Sequence, residues 1–416
     1  MISVEKARQT ILAHFQQLDI EKVNIMDALN RVAGEDIFAA HHIPPADNSA
    51  MDGYAVRYMD TRGATKAKPV RLAIIEEIRA GIVSGKNLQS GKAARIMTGA
   101  IIPRGADAVV RQEDCRRDAQ TVSIYVAVKK GRDIRFAGED VKKGELVIPR
   151  GTIIKPAVIG MLASLGRASV LVYQRPQVAI IATGDELVDI QSNPPRGKIV
   201  NSNSYALAAQ VSACGGIPVM LEIAGDKKAE LKKKLEKALN ADLIISSGGV
   251  SVGDFDFVKD VMQEIGNSMY FWQVAMRPGK PLAFGAVEGV PLFGLPGNPV
   301  SVMVSFEQFV RPAILKMQGH SKIFRQTIKA VNAQEIKKKA GIRHFIRAII
   351  RKQKDKYIVS TTGEQGSGIL QSMVLANGLI ILDEKTTLAK KGALVNVQLL
   401  DDSVFLSEKY IAEEKL

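Results

Sequence analysis

Cysteine is nearly absent from this sequence. Cys115 and Cys214 are the only two in 416 residues, and they form no C-x-x-C pair. That excludes a disulfide-stapled scaffold and a zinc ribbon, and it points to a reducing cytosol. Aromatic residues are scarce as well, at 5% with a single Trp, which argues against a stacking platform for single-stranded nucleic acid. The five histidines are scattered, and neither H-E-x-x-H nor G-x-S-x-G occurs, so a zinc-helix or nucleophile-elbow mechanism has no support. His41-His42 reads as loop surface rather than as a metal ligand. The stretch GKNLQSGKAA imitates a phosphate loop but fails twice. Five residues separate Gly85 from Gly91, and Ala93 stands where Ser or Thr is needed. Long apolar runs are missing too. The segments 155–174 and 291–311 carry Lys155, Arg167, Asn298 and Glu307, so neither reads as a membrane span. The opening MISVEKARQTILAHF lacks an apolar centre and a small-residue cleavage site, so it does not read as a secretory signal.

What is present is an ordinary globular composition, 46% hydrophobic and 24% charged. At about 150 residues per domain the length predicts two to four domains. Lys and Arg number 57 against 43 Asp and Glu, a net charge of +14. Such a surplus suits an anionic partner: nucleic acid, a membrane surface, or a phosphorylated or oxyanion substrate. Residues 321–416 hold 17 basic and 10 acidic residues, half of the excess, which a solvated domain surface explains as readily.

Residues 3–34 read as helical, with Ser3 as cap and apolar positions at Ala7, Ile11, Phe15 and Leu18. HHIPPADNSAMDGYAV then breaks the pattern as a loop. Residues 54–135 alternate short apolar runs with Gly and charge, which predicts an inserted β domain. A helix is expected from Ala157 to Leu165. From Pro176 to His320, apolar strands alternate with helices, which predicts a mostly parallel sheet covered on both faces. After His320 the pattern returns to β, with a turn at GEQGSG.

In an open α/β sheet, ligands bind beyond the carboxyl ends of the strands. Thr183-Gly184-Asp185-Glu186, Ser246 to Asp254, and Leu295 to Ser301 should therefore converge at one rim. The second loop, with Gly248, Gly249 and Ser251, can present N–H groups as an anion-binding concavity. In the third, Pro296, Gly297 and Asn298 precede a helix opened by Pro299, whose N-terminus suits an oxyanion or phosphate. Either loop taken alone reads equally as a plain turn and cap. Arg277 and Lys280 flank a Pro-Gly turn and could clasp an anion. Carboxylates recur in the loops: Asp47 and Asp52, Glu139 and Asp140, Asp185 and Glu186, Asp254 and Asp256. A few of these plus substrate phosphate would make a Mg²⁺ site, although each alone also fits a turn former.

Taken together, eight segments resemble the molybdopterin molybdenumtransferases, the family that includes the E domain of gephyrin. They are DNSAMDGYAV at 47–56, RIMTGAIIPRGADAVV at 95–110, AGEDV at 137–141, IATGDEL at 181–187, NSNSY at 201–205, SSGGVSVGD at 246–254, RPGKPLAFG at 277–285 and GLPGNPVS at 294–301. Residues 341–385 resemble the family's C-terminal β domain, so the likeness spans essentially the whole chain. Two departures stand out. Arg277 replaces a common Lys, and Phe136 precedes AGED where the family often has Arg.

The resemblance implies a multidomain α/β and β protein with four parts. These are a discontinuous helical and mixed domain at 1–45 and 136–173, an inserted β domain at 46–135, a molybdopterin-binding α/β domain at 174–320, and a C-terminal β-barrel at 321–416. It implies a cytoplasmic homodimer whose site lies between the α/β domain of one subunit and the first two domains of its mate. The implied reaction joins molybdate to adenylylated molybdopterin with Mg²⁺ and releases AMP. Asp52, Asp140, Glu186 and Lys280 are then the catalytic candidates. Thr98, Thr183, Gly248, Gly249, Ser251, Arg277, Lys280, Pro296, Gly297, Asn298 and Ser301 are binding candidates, with Lys198 as a further cation. Asp140, Asp185, Glu186 and Asp254 are metal candidates. Other proteins of molybdenum cofactor biosynthesis are candidate partners, and neither nucleic acid nor membrane is expected. The alternatives are a molybdopterin adenylyltransferase, against which the DNSAMDGYA segment and the C-terminal β domain argue, and a non-catalytic pterin carrier or scaffold. Tungstate is not distinguished from molybdate, since both are tetrahedral dianions.

Overall fold

The computed structural model describes residues 1–225, 228–248 and 269–406. By contacts the chain divides into two compact units. One comprises Met1–Lys22, Asn30–Gly34 and Leu171–Leu416, the other Val23–Leu29 and Glu35–Val170.

The second unit is built on a six-stranded sheet in the order Ala108–Arg111, Gly53–Val56, Lys92–Ile96, Val70–Ile78, Thr121–Ile124, Cys115–Asp118. Only the pairing of Val70–Ile78 with Lys92–Ile96 is parallel. Successive side chains of a strand point to opposite faces. Tyr54, Val56, Leu72 and Val110 therefore enter one apolar cluster, while Ala55, Ile78, Ile96 and Val109 enter another. This is the β insertion that the short apolar runs predict. Ala93, in the stretch that imitates a phosphate loop, is a buried strand residue. Ile37–Phe38 pairs with Leu146–Ile148, and Asn48–Ser49 with Ile134–Arg135, which joins the two ends of the insertion. A helix follows at Pro156–Ser164, with proline in its first turn.

The first unit contains an α/β sheet in the order Ile217–Met220, Gln177–Ala182, Leu243–Ser247, Val290–Leu295, Pro281–Val287, Met269–Gln273. The first four strands are mutually parallel, and each of the last two pairs antiparallel with the strand before it. Val178, Ile180, Ile245 and Phe293 face one core; Ala179, Ile181, Ile244 and Leu292 face the other. Helices Ser202–Ala213 and Pro299–Ser305 cover the first face, and Lys228–Ala238 covers the second.

The opening helix joins the first core through Val4, Ala7 and Ile11. It is capped as the sequence predicts, Ser3 accepting a bond from the Lys6 N–H at 3.1 Å. It ends at Ala13, however, and does not continue to residue 34. Beyond His14 the burial alternates from Ile20 to Asn24, the two-residue period of a strand. Phe15 remains buried after the helix has ended, its ring 6.0 Å from that of Phe293. Such pairs contribute about 0.5–1.5 kcal/mol beyond the area they bury.

Five C-terminal strands close a barrel: Thr327–Asn332, Arg343–Gln353, Lys356–Thr361, Gly378–Leu382 and Leu394–Leu399. Contacts that fix it to the α/β part of the same unit include two between its strands and that part. The strand Met276–Arg277 adds in parallel beside Arg343–His344. Gln308 lies in a π-helical turn at Phe306–Val310, and its buried side chain donates to Gln398 at 2.9 Å.

Candidate functional site

The α/β sheet reverses direction between two neighbouring strands. From Gln177–Ala182 the chain crosses one face to Ile217–Met220, then returns over the other face to Leu243–Ser247. Connections that diverge in this way leave a crevice beyond the carboxyl ends of the strands. The loops at that rim do converge. The Thr183 N–H donates to the Ser247 carbonyl at 3.0 Å, and the Gly248 N–H to the Leu295 carbonyl at 3.1 Å. Gly248 has φ +94°, and a Cβ there would stand 2.4 Å from the Thr183 carbonyl oxygen. Only glycine meets both conditions. Gly297 approaches from the third loop, an added Cβ lying 3.9 Å from the Gly248 Cα. The side-chain N–H groups of Asn203 donate to Ser247 Oγ at 3.1 Å and to the Gly297 carbonyl at 2.7 Å. The hydroxyls of Thr183 and Ser246 are buried without a hydrogen-bond partner among the described residues, an arrangement that suits a polar ligand.

Beside this rim, Arg277, Lys280, Pro296, Asn298 and Ser301 line one cleft of about 270 Å³. The barrel supplies its other wall through Ile342, Gln365 and Ser367. Asn298 occupies the N-cap position of the helix Pro299–Ser305, but its side chain makes no capping bond. The Val300 N–H donates to the Ser367 carbonyl at 3.1 Å instead. A donor that the sequence reading leaves open for an anion is thus taken by the barrel.

Arg347 sets the field behind that wall. It is 1% exposed, and its guanidinium donates to Ser372 Oγ at 3.0 Å and to the Gly366 carbonyl at 2.8 Å. Its main-chain N–H donates to the Gln365 side chain at 2.9 Å. No carboxylate pairs with it among the described residues. Burial, with Arg277 adding to it, lowers its pKa to about 10. His344 is pushed down to about 4 by burial and then by Lys338 and Arg277. The imidazole is therefore neutral near pH 7.

The acidic candidates are distributed. Asp185 and Glu186 are exposed residues just beyond Gln177–Ala182. The Glu186 carboxylate folds over Gly184, where a Cβ would meet its oxygens at 2.5 and 2.7 Å. Lys198 does not project as a loose cation; its Nζ donates to the Asp185 carbonyl and braces that loop. Asp52 and Thr98 come together in the other unit. The Thr98 N–H and hydroxyl both donate to Asp52 Oδ1, at 2.7 and 2.8 Å, and these bonds hold the carboxyl below its ordinary pKa. Both bonds favour the ionised carboxylate. Asp140 is exposed in that same unit, its N–H donating to the Ile43 carbonyl at 3.0 Å. Gly249, Ser251 and Asp254 lie outside the described residues. Among those described, no three His, Cys, Asp or Glu side chains gather into a metal-binding group.

Three family models match in chain order. They are the MoeA N-terminal region, domains I and II, over residues 2–166; a probable molybdopterin binding domain over 179–316; and the MoeA C-terminal region, domain IV, over 329–400. The molybdopterin molybdenumtransferase of Bacillus subtilis (strain 168) is 38% identical over 405 residues, covering 96% of this chain and 94% of that protein. The chain belongs to the molybdopterin molybdenumtransferase family. The Haemophilus influenzae member is 36% identical over 403 residues, covering 96% of this chain and 98% of its own. A crystal structure of the molybdopterin biosynthesis MoeA protein from Pyrococcus horikoshii superposes with a TM-score of 0.84 at 32% identity, covering 96% of this chain and 99% of that one. Within this molybdenumtransferase framework, Asn203, Arg347, Gln365 and Ser367 were not singled out from the sequence. Asn203 was legible only as part of NSNSY, and Gln365 and Ser367 only as a turn. Arg347 carried no signal, because one Arg in a β-rich stretch looks like surface.

Proposed function

We propose that this chain is a Mg²⁺-dependent molybdopterin molybdenumtransferase that joins molybdate to adenylylated molybdopterin and releases AMP. The observation that carries the reading is the cleft in which Arg277 and Lys280 face the barrel residues Gln365 and Ser367 beside the laced loops of the α/β rim. Molybdate and the pterin nucleotide are both anions. Two cations, with buried Arg347 behind the wall, offset their charge where water is partly excluded. The hydroxyls of Thr183 and Ser246 and the backbone at Gly248 and Gly297 would hold the polar edges of the pterin nucleotide.

Mg²⁺ commonly binds through one or two carboxylates together with substrate phosphates, and adjacent Asp185 and Glu186 supply that donor set. When bound there it would polarise the phosphoryl group and neutralise developing charge. Asp140 and Asp254 are further acidic candidates for the same ion. Asp52, with Thr98, is assigned to anchoring its loop at the site. We further propose a cytoplasmic homodimer in which Asp52, Thr98 and Asp140 come from the second subunit, with the four-part division of the chain given above. No helix of the described residues is long and apolar enough to cross a membrane. The test is incubation with adenylylated molybdopterin, molybdate and Mg²⁺, following AMP. Release that requires all three supports the reading; release without molybdate would favour simple hydrolysis, and no release would overturn it. Tungstate in place of molybdate defines oxyanion choice. Sedimentation showing only monomer at micromolar concentration would overturn the shared site.

A further inference from the structure

We propose that Asn203 is a positioning residue that clasps two ligand loops of the rim into one surface; the inference rests on the functional reading above. Asn203 is the second residue of the helix Ser202–Ala213, and Asn201, two positions before it, caps that helix by accepting from the Ser204 N–H at 3.2 Å. Its backbone is thereby fixed. Its Nδ2 donates to the Gly297 carbonyl at 2.7 Å and to Ser247 Oγ at 3.1 Å. A carbonyl oxygen can only accept, so the amide orientation is set by chemistry: the NH₂ group must face Gly297. The two acceptors belong to different loops, one ending the strand Leu243–Ser247 and the other following Val290–Leu295. Among the described residues, the strands that lead into those loops pair in parallel as far as Ser247 and Leu295, and the Gly248 N–H donates to the Leu295 carbonyl. One side-chain amide thus ties the Gly297 backbone to the end of the strand that leads into Gly248. Asn203 does so from a third element that carries none of the assigned binding residues.

The test is Asn203→Asp, with Asn203→Ala beside it. Asp keeps the shape but sets a carboxylate oxygen against the Gly297 carbonyl. Expected for Asn203→Asp is a fall in kcat/KM for adenylylated molybdopterin of about tenfold or more, carried mainly by KM. The loss should shrink as pH drops and the introduced carboxyl gains a proton to donate. Asn203→Ala should show a smaller loss with no such pH recovery. Amide hydrogen exchange on the unliganded full chain gives a readout independent of turnover. Peptides covering 243–248 and 292–299 should exchange faster together in both variants, while the barrel strands do not change. Unchanged exchange in both loops would overturn the clasp, and so would an Asn203→Asp enzyme with parental KM at all pH values. If the parent releases no AMP, the functional reading fails, and the exchange measurement alone decides the clasp.

Discussion

Replacing Gly248 by alanine should cripple the rim while leaving the fold standing. The introduced Cβ would lie 2.4 Å from the Thr183 carbonyl oxygen, and real Cβ atoms essentially never come within 3.0 Å of a neighbour. The chain must therefore retreat by at least about 0.6 Å. Leu295 pairs on the opposite side of the strand from Thr183, so a retreat of that size pushes Gly248 against it and misaligns the 3.1 Å bond from the Gly248 N–H to the Leu295 carbonyl. Losing it costs about 1 kcal/mol. Holding alanine at φ +94° costs about 1–2 kcal/mol more. If the total of about 2–3 kcal/mol appears in the transition-state complex, kcat/KM falls about 30- to 150-fold, at 1.4 kcal/mol per factor of ten. The assay is AMP release under saturating molybdate and Mg²⁺, with thermal unfolding measured in parallel. Gly289→Ala separates strain from collision, because Gly289 has φ +86° but nothing within 4 Å of an added Cβ. It should lose a similar increment of stability and no activity. A Gly248→Ala enzyme within twofold of the parent would refute the reasoning, as would an equal loss of activity in Gly289→Ala.

Glu186→Gln keeps the size of the side chain and removes its charge, so AMP release should fall steeply while pterin binding persists and excess Mg²⁺ restores part of the rate; normal turnover would mean that Glu186 only shapes its loop. Stability of the β-insertion unit should decline in acid through Asp133. Arg111 bonds its two oxygens at 2.9 and 3.0 Å and holds the carboxyl below its usual range, so the contribution is complete above the unfolded-chain value and disappears as pH falls through the lower folded value. The thermal midpoints of the parent and Asp133→Asn should therefore differ near neutrality and converge in acid. Burial raises the pKa of Cys115 to about 12 and of Cys214 to about 11, so both thiols should resist alkylation at pH 8, and a double Cys→Ser variant should retain AMP release.

The architecture was legible where one period governed a whole segment. Strands such as VAIIA and LIISS bury both faces, and the helix Lys228–Ala238 shows its lysines outward around Leu231 and Leu235. The error at residues 14–34 came from Phe15, which continues the helical apolar spacing although the chain has left the helix. Its burial is dictated by Phe293, a residue distant in sequence. The site was legible where glycine, proline and charge cluster locally, as in Arg277–Lys280 and Leu295–Ser301. It was illegible where a residue acts through a partner far along the chain. Asn203 meets Gly297, and Val300 meets Ser367; no local pattern encodes either pairing. Asn298 shows the converse, since it has the right residue type for a cap while its helix is served by a carbonyl from the barrel.

The strand Met276–Arg277 makes the barrel part of the pocket's inheritance. The five barrel strands close their ring without it, so the pairing with Arg343–His344 is not needed to complete the barrel itself. A fragment ending near residue 320 would lose the partner of Met276–Arg277, the Ser367 acceptor of the Val300 N–H, and the whole far wall of the cleft. Such a fragment could retain the α/β sheet and still own half a pocket. Module shuffling that treats the C-terminal segment as an appended bead would therefore yield folded but incompetent chimeras unless the Arg277–Lys280 turn and the Gln365–Ser367 turn travelled as one heritable unit.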